Sequence, residues 1–187
     1  MSLITQKTIT LPQWLDELKI KSSYPADKEK ARLAVALASL NIKHGTGGPF
    51  GAAVFDDVTG GLISMGVNIV IDSNCSVNHA EIMAVMMAQE KLKQYRLNLD
   101  DKRYTLATSA QPCAMCFGAL LWSGLSKLIV SASRNDVISL TEFDEGPTPP
   151  DWISECKSRG IDVVQGILQN EACDVLKSYR ESEGTIY

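Results

Sequence analysis

Histidine is scarce in this chain: 187 residues contain only His44 and His79. Any chemistry that needs an imidazole must draw on one of these two. Cysteine is limited to Cys75, Cys113, Cys116, Cys156 and Cys173. An odd count, with no secretion signal, argues against a disulfide framework. The first residues, M-S-L-I-T-Q-K-T-I-T, lack the long apolar centre of a signal peptide. No apolar run reaches the roughly 18 residues of a membrane-spanning helix. The expectation is a cytoplasmic protein with no membrane partner. Basic charge is not in excess either: 18 Lys and Arg face 22 Asp and Glu, a formal net charge of -4. Nucleic-acid affinity rests largely on phosphate neutralisation, so this balance argues against a dedicated RNA or DNA binder. Repeats and low-complexity segments are absent.

What is present is an ordinary apolar fraction, 45%, sufficient for a real core in one domain. Residues 1–26 read as an N-terminal extension with a short amphipathic helix over 10–20, and residues 27–187 as the domain. Asp27 is a candidate cap for a helix running to Lys43. The stretches G-P-F-G-A-A-V-F and L-I-S-M-G-V-N-I-V read as buried strands, and D-D-V-T-G-G between them is a turn signal, so the pair forms an antiparallel hairpin. Asn78 is placed to cap a helix from His79 to about Tyr95. A strand over Arg103–Ser109, a helix to about Trp122 and a strand over Ser126–Ala132 follow. Asn135–Pro150 reads as loop, and the chain closes with a helix near Asp151–Arg159, a strand over Ile161–Leu168 and a helix over about Asn170–Glu183. A helical crossover between the last two strands predicts that they are parallel. The order predicts an α/β fold: a three-layer α/β/α sandwich with a mixed five-stranded sheet.

The stretch T-S-A-Q-P-C-A-M-C-F-G-A carries the chemistry. Cys113 and Cys116 stand three residues apart at a helix start, so both sulfurs reach one spot. The positive end of the helix favours thiolate over thiol. Two thiolates on one face are half of a metal site. The other half lies upstream in N-H-A-E, where His79 precedes Glu81 by two residues. The combination H-x-E then P-C-x-x-C is the signature of zinc-dependent nucleobase deaminases, in which one His and two Cys hold the metal and the Glu does not. His79, Cys113 and Cys116 are thus the expected zinc ligands, with water completing the set. Glu81 is the expected general acid and base. A structural zinc site would want a fourth protein ligand, for which Cys75 is the only nearby candidate, and a redox-active cysteine pair would leave His79 and Glu81 without a role.

On these motifs the chain resembles the cytidine-deaminase superfamily and, more narrowly, its bacterial guanine deaminases. The likeness runs from about Ala31 onward, through G-G-P-F-G-A-A-V, G-V-N, N-H-A-E, the cysteine motif, R-N-D-V and F-D-E-G-P. The resemblance implies a zinc-dependent hydrolysis of guanine to xanthine and ammonia. It implies that Asn68 hydrogen-bonds the purine, that Phe50 packs on it and that the Ala80 amide meets a ring carbonyl. Read from the strand pattern alone, Asn68 is equally a satisfied polar residue at a strand end. The resemblance further implies that Glu145, or alternatively Asp144, is a second proton carrier, that Phe143 lines the pocket, and that the protein is a homodimer whose C-terminal tail, ending in Tyr187, covers a partner's site. Gln111 departs from the glutamate usual in that branch. Guanosine, cytosine and amino-triazines are rival substrates, tRNA adenosine deamination is a rival activity, and a non-catalytic module of the same fold would be expected to lack Glu81.

Overall fold

The computed structural model describes residues 3–187. Alternation of side chains along the strands builds the protein from the middle outward. The strands are β1 (Gly51–Asp56), β2 (Leu62–Val67), β3 (Tyr104–Ala110), β4 (Lys127–Ala132) and β5 (Asp162–Gln165). They lie in the order β2-β1-β3-β4-β5. β1 pairs antiparallel with both β2 and β3, while β3–β4 and β4–β5 are parallel. The mixed sheet, its hairpin and its parallel last pair are as the sequence predicts.

The helices are α1 (Asp27–Lys43), α2 (Ala80–Leu92), α3 (Ala114–Ser123), α4 (Arg134–Thr141), α5 (Trp152–Ser158) and α6 (Gln169–Glu181). On one face of the sheet, Ala52, Val54, Leu106 and Leu128 pack with residues of α2, α3 and α5. On the other, the alternate residues Ala53, Phe55, Ala107 and Ile129 pack with Ala31, Ala34 and Leu37 of α1. A third cluster joins α4 and α6 through Val137, Ala172 and Leu176. Burial of these side chains, each contributing about 1.5–3 kcal/mol for a large aliphatic residue, drives the layering. Helix α2 lies so close on β2 that a Cβ at Gly66 would run into the Ala80 carbonyl.

The structure corrects several expected boundaries. Residues 10–20 contain a five-residue 3-10 helix, Gln13–Glu17, in place of a longer amphipathic one. Its Trp14 and Leu15 join the α1-side core. Asp27 does not cap α1, since the cap position is Ala26. The Asp27 carboxylate pairs with Lys127 at 2.7 Å instead. His79, not Asn78, occupies the cap position of α2; the Asn78 amide donates to Ser73 Oγ at 2.7 Å. Helix α2 stops at Leu92 because Lys93 turns left-handed, with φ 55°. The segment expected to be loop from Asn135 opens with α4, capped by Ser133 and Asp136 in a reciprocal capping box. Strand β5 is half its expected length and ends where Gly166 takes φ 75°.

Candidate active site

Two helix starts meet at the end of the sheet where β3 stops. His79 is the cap residue of α2 and Cys113 that of α3, with Cys116 one turn further along α3. The strand–turn–helix connection at Gln111–Pro112 aims α3 at the same point as α2. The His79 Nδ1, Cys113 Sγ and Cys116 Sγ positions all fall within 4.8 Å of one another. Nδ1 of His79 lies 3.6 Å from Cys113 Sγ. A tetrahedral zinc with Zn–S of about 2.3 Å and Zn–N of about 2.0–2.1 Å separates a sulfur from a nitrogen by about 3.6 Å. The spacing therefore fits the ion. Cys75 stays outside this cluster.

The electrostatics fit a cation as well. Cys113 is pulled down to about 4, chiefly by the hydrogen bond from Cys116 and further by His79. Cys116 is pushed up, first by that same bond and then by burial. The pair favours a thiolate on Cys113, and a bound dication would displace the remaining thiol proton. Burial acts to lower His79, but the bond with Cys113 and the nearby Glu81 and Glu145 outweigh it and raise the imidazole.

Both expected proton carriers are buried beside the triad. Glu81, on the first turn of α2, is 6% exposed; burial first, then the charge on Cys113, raises its carboxyl to about 7. Glu145 is 7% exposed and is raised to about 8, again by burial first and Cys113 next. Its neighbour Asp144 is exposed, and its Oδ1 is occupied by the Gly146 amide at 2.8 Å. A cavity of about 160 Å³ is lined by His79, Glu81, Cys113, Asp144 and Glu145 together with Phe50, Phe143 and Tyr187. The Phe50 and Phe143 rings meet edge-on at 5.3 Å, and Tyr187 of the same chain lies 4.8 Å from Phe143.

Asn68 and Ala80 are fully buried and stand outside the cavity lining. Asn68 sits just past the end of β2, its Oδ1 accepting from the Val70 amide at 3.2 Å. Its Nδ2 has no hydrogen-bond partner among the described residues. Ala110, within the cysteine motif, also lines the cavity, as do Val70 and Ser76, which no motif singled out. Gln111 spans the site's outer wall: its amide donates to Ala132 O at 2.8 Å and its Oε1 accepts from the Arg134 amide at 3.1 Å.

Residues 25–132 match the cytidine and deoxycytidylate deaminase zinc-binding region, and the chain belongs to that family. His79, Cys113 and Cys116 all fall within that zinc-binding region and could together hold the metal. Among relatives, the guanine deaminase of Bacillus subtilis is 40% identical over 103 residues, 55% of this chain. The aligned part spans 62% of the length of that relative. The solved guanine deaminase from Nitrosomonas europaea is 38% identical, with a TM-score of 0.90 over 97% of this chain and 100% of that one. A structure solved in complex with 2,6-diaminopurine is 40% identical, with a TM-score of 0.90 over 96% of this chain and 95% of its own. Among the described residues, no helix is long and apolar enough to cross a membrane.

Proposed function

We propose that this chain hydrolyses guanine to xanthine and ammonia: water adds at the ring carbon bearing the amino group, and that group leaves with the protons it needs. The observation that carries the reading is the pair of buried carboxyls, Glu81 and Glu145, both facing one small cavity beside the His79–Cys113–Cys116 triad. Bound zinc supplies acidification and orientation of the attacking water. Everything else falls to the chain. Glu81, its carboxyl raised by burial, accepts a proton from that water and returns it to a ring nitrogen. Glu145, its carboxyl raised by burial, carries a proton to the departing amino group. Burial pushes both carboxyls toward the neutral form, which suits each to carrying a proton. Asp144 serves the loop turn, so the second carrier is assigned to Glu145.

Phe50 and Phe143 supply aromatic surface for a planar ring, and the free Nδ2 of Asn68 supplies a donor to one of its acceptors. The Ala80 amide, at the start of α2, is the proposed donor to the ring carbonyl. A cavity of about 160 Å³ lies below the roughly 300–1,000 Å³ of sites for larger ligands, which favours a free base over a nucleoside. The likeness to guanine deaminases over nearly the whole chain supports the same substrate. A homodimer is part of this reading, supported by apolar surface at Trp122 (77% exposed) and Met86 (38% exposed) on α3 and α2. Within one chain Tyr187 already reaches its own site, so tail exchange between partners is not needed to fill it. Ammonia release by zinc-loaded protein from guanine, guanosine, cytosine, an amino-triazine and adenosine in RNA tests the reading. Guanine should exceed every rival, and turnover of a rival with none of guanine would overturn the substrate.

A further inference from the structure

A chain of hydrogen bonds runs from the N-terminal extension to Asn68, and its meaning rests on the functional reading above. Asn41, on α1, is fully buried. Its Nδ2 donates to Gly48 O at 2.8 Å and to Asn68 O at 2.8 Å, so both amide hydrogens are used. Carbonyls only accept, which forces the nitrogen of Asn41 toward them and the oxygen away. That oxygen accepts from Thr46 Oγ1 at 2.7 Å, and Thr46 Oγ1 in turn accepts from Trp14 Nε1 at 3.0 Å. An indole can only donate, so each bond in the series has one possible direction. Trp14 is itself held by stacking on His44, with centroids 5.1 Å apart and planes 7° from parallel.

The far end of the series is gripped just as closely. The Asn68 amide donates to Phe50 O at 3.2 Å, its carbonyl accepts from Asn41 and its Oδ1 accepts from Val70. Gly47 packs so near the Asn68 carbonyl that a Cβ there would collide with it. One polar group of Asn68 is left over: the buried, unpartnered Nδ2. We propose that Trp14, Thr46 and Asn41 form a positioning relay that fixes this donor for the purine. Trp14 lies outside residues 25–132, the part matched to the family, so the extension takes part in substrate recognition. None of the three touches the reacting atoms. Their effect falls on substrate affinity rather than on proton transfer.

A double-mutant cycle on the full-length, zinc-loaded protein tests the relay. Thr46→Val removes the hydroxyl with little change of shape. It should raise KM for guanine about tenfold and leave kcat within about twofold, and Thr46→Ser should restore both. In an Asn68→Ala background the same substitution should add less than about twofold, because the group it acts through is already gone. Equal losses in both backgrounds, a fall confined to kcat, or no recovery with serine would overturn the relay. Trp14→Phe keeps an aromatic ring beside His44 and removes the donor along with part of the indole; it stands in if Thr46→Val does not fold, with the same KM rise expected and an unchanged KM counting against the relay. If the wild type does not turn over guanine, the functional reading fails on its own. Hydrogen exchange at the Asn68 backbone amide then decides the relay: faster exchange in Thr46→Val supports it, and unchanged exchange overturns it.

Discussion

The carbonyl of Glu145 accepts the amide of Ala114 at 2.9 Å, tying the acidic loop to the first turn of the helix that carries both cysteines. A second tie comes from Arg134, whose guanidinium donates to Gly146 O at 2.6 Å and to Thr148 Oγ1 at 3.2 Å. The backbone that carries Glu145 is thus tied to α3 on one side and to Arg134 on the other.

Loosening the second tie should slow the reaction without emptying the site. Arg134→Ala leaves the Ala114 bond in place but frees residues 146–148. Displacement of a catalytic group by about 1 Å can cost on the order of 100-fold. We expect kcat to fall by about tenfold or more while zinc content stays at the wild-type level. Steady-state kinetics with metal analysis checks this, and an unchanged kcat would contradict it.

Glu145 also ties stability to pH. Its carboxyl titrates at about 8 in the fold, against an ordinary value of 4.5 in the unfolded chain. Across that interval the folded state keeps a proton that the unfolded chain has released. The contribution is therefore complete below about 4.5 and is lost as pH rises through about 8. In zinc-free protein, the melting temperature should fall more steeply between about pH 5 and pH 8 for the wild type than for Glu145→Gln. Calorimetry at matched ionic strength checks this, and parallel curves would contradict it.

The tail can be tested separately from the core. Tyr187 is 39% exposed, yet its ring closes against Phe143 and a Cβ at Gly48 would strike its hydroxyl. Burial raises its phenol, so it stays neutral as it covers the cavity. Tyr187→Ala should raise KM for guanine about tenfold and lower stability by only about 1 kcal/mol, as for a typical single substitution. Kinetics paired with thermal melting checks this, and an unchanged KM would contradict it.

Much of this site is legible in the order of the residues. The i, i+3 spacing of Cys113 and Cys116 dictates a shared helix face, and H-x-E brings His79 and Glu81 together because His79 is the extended cap residue of α2 and Glu81 lies on its first turn. The alternating burial of β1 and its neighbours likewise follows from residue type. Other features are hidden for local reasons. Helix α4 has eight residues and an almost wholly polar first turn, so apolar periodicity does not reveal it, although the Ser133–Asp136 capping pair does mark its start. Asn78 is a better intrinsic cap than His79, but its amide is drawn to Ser73. Proximity of Asn41 to Asn68, 27 residues apart, follows from how α1 lies on the sheet. No short-range pattern encodes it.

The proposed chemistry turns on Glu81, and Glu81→Gln replaces its carboxyl with an amide of nearly the same shape. The decisive measurement is ammonia release from guanine by wild type and Glu81→Gln, each with its zinc content determined. The variant should bind zinc as the wild type does and release ammonia slower by about 100-fold to 10,000-fold, the usual weight of a general acid–base group. A zinc-loaded variant that works at the wild-type rate would contradict the account.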